Sequence, residues 1–144
     1  MSQTYTNTDV GFTISYPGGW FKTEPSSAPG VGTLVMFRGT GTAVTILAEE
    51  AEAGMSLDES AHTQRLRLEV GGAVVQSPEN TSLDGEPAVS LTFSRLQGKR
   101  TTQSTVVLVL HGGRLMTVLY GGFSYPWTVD LGTFHEMLNS FTWE

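Results

Sequence analysis

Alternation of apolar and polar residues dominates this chain, and helical periodicity is confined to two segments. Phe12-Thr13-Ile14-Ser15-Tyr16 predicts a strand with Phe12, Ile14 and Tyr16 on one face. Pro17-Gly18-Gly19 breaks it, Trp20-Phe21 follows, and residues 25–32, rich in Pro, Ser and Gly, read as a loop. Residues 33–38 and 43–49 read as a hairpin around Gly39-Thr40-Gly41. Later come a short strand at 73–78 and an alternating strand at 87–96. In the latter Val89, Leu91 and Phe93 point inward and Ser90, Thr92 and Ser94 outward. Gln97 to Arg100 turns the chain into 105–110, and Gly112-Gly113 turns it again into 115–120.

The two helical segments flank these later strands. Ser56 with Glu59 three residues on forms a capping-box pattern, Asp58 favours the positive end of the helix dipole, and Gly71-Gly72 supplies a stop. The expected helix is 56–70. Leu57, Ala61, Gln64 and Leu68 share its face, with Leu66 and Val70 widening it. A second helix, about 129–140, places Leu131, Phe134, Leu138 and Phe141 along one stripe.

Short glycine-bearing connections make neighbouring strands antiparallel, because parallel strands need long crossovers. An antiparallel sheet usually keeps one face wet. Strands 105–110 and 115–120 are apolar on both faces, so both need cover, and two amphipathic helices are available. The expected fold is α+β: an α-β-α sandwich, an antiparallel sheet covered by helices on both faces.

At 144 residues a folded chain exposes roughly 7,200 Å² against about 22,500 Å² unfolded, enough burial for one core. There is no internal repeat or long linker, so a single domain over 1–144 is expected. Hydrophobic content of 39% with 15% charged residues argues against disorder. Zero cysteines exclude disulfides, thiolate chemistry and cysteine-ligated zinc. The net charge of −6, with Lys22 and Lys99 as the only lysines, argues against a nucleic-acid partner. No apolar run is long enough for a membrane helix. The opening MSQTYTNTDVG carries no signal pattern, leaving two expectations: a cytoplasmic protein, or an exported domain lacking its signal.

The opening YTNTDVGFTISYPGGW resembles the start of PsbP-like and DcrB-like domains, with a short strand, then an aromatic alternating strand ending in Tyr-Pro, and then a Trp. SLDESA opening a helix, LDGEPAVSLTF leading into a strand, a long hairpin, and a closing NSFTW follow in that family's order, from about Thr4 to Trp143. The resemblance implies the sandwich already reached and roles that are mostly not enzymatic. PsbP proteins attach to photosystem II, a yeast Mog protein binds the small GTPase Ran, DcrB is an envelope protein, and related domains act as chaperones for secretion effectors. Many bacterial relatives are lipoproteins, whereas this chain has no cysteine to carry a lipid. The family has no common catalytic set, so no catalytic residue and no cofactor is expected.

The residues agree. Gly121 to Tyr125 lacks the G-x-S-x-G elbow of a serine nucleophile. His62, His111 and His135 read as surface or cap histidines. Glu49, Glu50 and Glu52 with Asp58 and Glu59 read as a solvated face, because no calcium-loop spacing is present. Asp58 and His62 read as a helical i,i+4 pair, without further ligands for a metal. Arg38-Gly39-Thr40-Gly41-Thr42 leads into a strand, where a phosphate cradle needs a helix N-terminus.

The suggestive segment is Gly121 to Trp127. Phe123, Tyr125 and Trp127 lie together in a loop, where aromatics serve either to bury a partner's surface or to cap the sheet end. Trp20, at another strand–loop junction, has the same two readings. The expectation is a non-enzymatic accessory domain that binds a protein through these four aromatics. The alternatives are a small-molecule or lipid carrier, which needs an enclosed cavity between sheet and helix, and a hydrolase, which needs His111 or His135 to meet a serine and a carboxylate.

Overall fold

Most consecutive strands joined by tight turns pair with each other. The computed structural model describes residues 3–25, 32–39, 41–122 and 130–144. In chain order these form β1 (Gln3–Asn7), β2 (Phe12–Tyr16), β3 (Phe21–Thr23), β4 (Gly32–Arg38), β5 (Thr42–Glu50), α1 (Leu57–Val70), β6 (Val74–Val75), β7 (Glu79–Leu83), β8 (Glu86–Gln97), β9 (Arg100–His111), β10 (Arg114–Gly122), α2 (Leu131–Ser140) and β11 (Thr142–Trp143). The large sheet runs β3-β4-β5-β10-β9-β8-β6, with β7 also on β8, and a small sheet runs β1-β2-β11. The pairs across tight turns are β1 with β2, β4 with β5, β7 with β8, β8 with β9 and β9 with β10. Every strand pair is antiparallel. The fold is therefore α+β, built mostly of antiparallel strands.

The doubly apolar strands divide their side chains between two clusters. Val106 and Leu108 of β9 pack with Val89, Leu91 and Phe93 of β8 and with Ala61 and Leu68 of α1. The alternate residues Val107 and Val109 pack with Met116, Val118 and Tyr120 of β10 and with Phe134 and Met137 of α2. This second cluster also takes Tyr5, Phe12, Ile14 and Tyr16 of the small sheet. The sequence reading expects helices as the only cover, whereas this second cluster draws on a sheet of three strands as well as on α2.

α1 starts as its sequence predicts, with Ser56 Oγ accepting a 3.1 Å bond from the Glu59 amide. Its packed face is narrower than expected. Leu66 is 48% exposed and Val70 88% exposed. Each lies two residues from Leu68, about 200° around the helix, so neither can share its face.

Three strands fall outside the sequence expectation, β3, β7 and β11, while β1 is the short opening strand that the family resemblance implies. β7 is polar along nearly its whole length, yet Asp84-Gly85 fixes it against β8. Leu83 pairs with Glu86 across that two-residue turn. Asp84 has φ 46° and Gly85 φ 82°, the left-handed pair that a type I′ hairpin demands and that Asp-Gly supplies.

Candidate functional site

Trp20 closes the turn after β2, its amide donating to the Pro17 carbonyl at 3.1 Å. Its indole lies flat against Gly39. A Cβ at that glycine would stand 2.6 Å from the ring carbon Cε2, closer than atoms can approach. Trp20 is half-buried and packs against the aromatic cluster beneath, while its neighbour Phe21 on edge strand β3 is 78% exposed. Phe123, Tyr125 and Trp127 lie outside the described residues.

The flanks of that segment are described, and they converge. Gly122, the last residue of β10, pairs with Thr42. Asp130, which precedes α2, accepts a 2.6 Å hydrogen bond from Thr42 Oγ1. Thr42 in turn accepts the Gly39 amide at 3.0 Å. Register therefore brings both flanks of residues 123–129 to the turn on which Trp20 rests. Tyr120 lies just beneath, fully buried and stacked on Phe134 at 5.1 Å between ring centroids. Burial raises the Tyr120 phenol above its ordinary value, opposed in part by a hydrogen bond to the Asp130 backbone. Burial likewise raises Tyr5, whose hydroxyl accepts from Asn7.

A second constellation escaped the sequence reading. His111, at the end of β9, stacks its ring on the Trp143 indole at 3.8 Å and places Nδ1 3.0 Å from Glu86 Oε1. Trp143 donates its backbone amide to Asp84 Oδ2 and its indole N–H to the Leu83 carbonyl, both at 2.9 Å. The penultimate residue thus ties the small sheet to the β7–β8 turn. The Asp84-Gly85 pair is the one local signal that could have pointed here. His62 and His135 are exposed. No serine of the described residues bonds to any of the three histidines, and this arrangement is a structural clamp with no nucleophile in it.

Glu49, Glu50 and Glu52 line a shallow open groove with Met55, Ser60 and Arg67. A second open groove, between β7 and α2, is lined by Ser82, Asp84, His135 and Asn139. Among the described residues no three His, Asp or Glu side chains converge as metal ligands, and no helix is long and apolar enough to cross a membrane.

No family model and no curated protein matches this chain. Solved structures do. Cyanobacterial PsbP (CyanoP) from Synechocystis superposes with a TM-score of 0.76 at 20% identity, covering 99% of this chain and 92% of that one. LpqN of Mycobacterium tuberculosis, described as involved in cell envelope biogenesis, gives 0.71 at 11% identity, covering 97% and 88%. A point mutant of Mog1 gives 0.63 at 11% identity, covering 97% and 94%. The chain has the PsbP-like fold, over nearly its full length.

Proposed function

We propose that this chain is a non-enzymatic accessory domain that docks a protein partner, and that Trp20 with Phe123, Tyr125 and Trp127 forms the docking surface. The observation that carries this reading is convergence: Gly122 and Asp130 both meet Thr42, three residues from the glycine beneath Trp20. An aromatic-bearing segment whose two described flanks meet the turn beneath a tryptophan suits an interface anchor. Likeness to PsbP and Mog1 in fold supports an accessory role. The proposed architecture is a sandwich with α1 over one face and α2 plus the small sheet over the other, as membership of the two clusters supports. The net charge of −6 argues against nucleic acid as the partner. A carried molecule is not favoured, because Tyr120, Phe134 and Met137 fill the space between sheet and α2.

The test is recovery of partners from native extract with immobilised wild type, Trp127→Ala and Trp20→Ala, each verified as folded by circular dichroism. Loss of the same bound protein in both variants is expected. Equal recovery by all three forms would remove the aromatics from the interface.

A further inference from the structure

One edge of the large sheet lies open beside a groove, and its register shows which backbone groups are free. Ser82 pairs with Pro87, which has no N–H and cannot form a hydrogen-bonded pair. Leu83, Thr81 and Glu79 therefore make the ladder bonds to β8, while Asn80 and Ser82 turn their amides and carbonyls outward. β7 pairs with no strand but β8, and among the described residues nothing bonds to these outward groups. Both residues are exposed. Two donors and two acceptors are thus spaced as an added strand would use them.

α2 supplies a second wall. An open groove of about 540 Å³ separates this edge from the helix, lined by Thr81, Ser82 and Asp84 on one side and His135, Leu138 and Asn139 on the other. The three helix residues share one face, being three and four positions apart. Leu83 sends its side chain into the core with Phe134 and Met137 of α2. Thr81 and Glu79, at alternate positions of the same strand, face that side too. A strand added to β7 would direct every second side chain toward α2.

Charge selects the occupant. Of the eight Lys and Arg, none lies between Arg67 and Arg95 and none follows Arg114, so neither wall carries one. Glu79 and Asp84 stand at the two ends of β7, and neither is in an ion pair among the described residues. The run is short. Pro78 precedes it, and the Trp143 indole takes the Leu83 carbonyl at its far end. That leaves the five residues Glu79–Leu83. A helix laid in the groove would leave the outward amides unsatisfied, whereas an extended chain bonds them all.

We propose that β7 receives an extended basic peptide as an added strand. Its backbone bonds to Asn80 and Ser82, its cationic side chains meet Glu79 and Asp84, and an aliphatic side chain between them packs against Leu138. The site lies at the end of the sheet where β10 begins, opposite the Gly122 end beside Trp20, and does not rest on the aromatic docking surface.

The test is NMR titration of the purified chain with three capped peptides: Lys-Thr-Val-Thr-Lys, Glu-Thr-Val-Thr-Glu, and the lysine peptide N-methylated at both threonines. With the first, the Asn80 and Ser82 amides should gain protection from hydrogen exchange, while Thr81, already bonded to β8, changes little. N-methylation keeps the charge but removes the two donors facing β7, so binding should fall about tenfold or more. Glu79→Gln with Asp84→Asn should weaken binding by up to about 25-fold, about fivefold for each exposed ion pair. Ser82→Pro should abolish it by removing an outward donor from an edge that tolerates proline. Circular dichroism confirms that both variants fold. Equal binding of the glutamate peptide, equal binding of the N-methylated peptide, or protection away from Asn80 and Ser82 would each overturn the proposal. A dimer in sedimentation that Ser82→Pro dissolves would also overturn it, assigning the edge to a second copy of the chain.

Discussion

The two helices are held in opposite ways. α1 has the local signals: a serine whose side chain caps the first turn, Asp58 and Glu59 near the start, Arg67 in the last turn, and glycine at the end. Yet its buried residues are Ser60, Ala61 and Leu68, a thin apolar contact. α2 is shorter, has no side-chain cap, and carries no acid in its first turn or base in its last. It buries Phe134 and Met137 in an aromatic core fed by both sheets. Capping and end charges favour α1 locally, while α2 relies on the packing of its apolar stripe. The helix with the stronger capping signals is thus not the one that places the larger side chains in the core.

The sharpest way to break that contrast is to empty each contact. Phe134→Ala should cost about 3–5 kcal/mol, because a fully buried ring leaves a cavity under Tyr120. Leu68→Ala should cost about 2 kcal/mol, at the low end for a buried leucine, since the α1 contact is thin. Urea midpoints at unchanged slope measure both. Equal losses would show that the two faces contribute alike.

Alkaline pH probes the same aromatic side more gently. Tyr5 and Tyr120 have phenols raised by burial in the fold. The folded state therefore holds these protons more tightly than the unfolded chain does. Their contribution is intact below the ordinary phenol value of about 10 and is lost as pH rises through the folded value. Tyr120→Phe should flatten the fall in stability above that pH. An unchanged alkaline limb would place the sensitivity elsewhere.

What the sequence showed depends on the range of the cause. The Phe12–Tyr16 strand, the 33–49 hairpin, the Ser56 cap and both helices were legible, because alternation, turn residues and capping act within a few positions. The polar strand β7 and the short β3 and β11 were not: β7 has no apolar alternation and is set by the Asp84-Gly85 turn, β3 is three residues long, and β11 pairs with β2 from the far end of the chain. Leu66 and Val70 were misassigned because apolar character was taken for burial; the helix's angular geometry excludes them from Leu68's face. At the candidate site, Trp20 was legible as an aromatic at a strand end. Its rest on Gly39, and the meeting of Gly122 and Asp130 at Thr42, follow only from sheet register. Trp143 and His111 stack for the same reason.

Two serines reduce the contrast to single hydrogen bonds. Ser140 ends α2, donating to Met137 O at 2.6 Å and accepting the Ser15 amide of β2 at 2.9 Å. It stands beside β2 just where β11 stops pairing with it. Ser140→Ala leaves that half-buried amide without its partner, a loss of about 1–2 kcal/mol. Ser56→Ala removes only the cap of an exposed helix start, about 1 kcal/mol. Hydrogen exchange separates the two. Loss of Ser140 should speed exchange at Ser15 and along β2, coupling helix to sheet, whereas loss of Ser56 should speed exchange only in the first turn of α1. Should the Ser56 variant instead loosen β8 and β9, α1 would be holding the sheet it merely covers, and the distinction between a locally encoded helix and one held by packing would no longer describe this molecule.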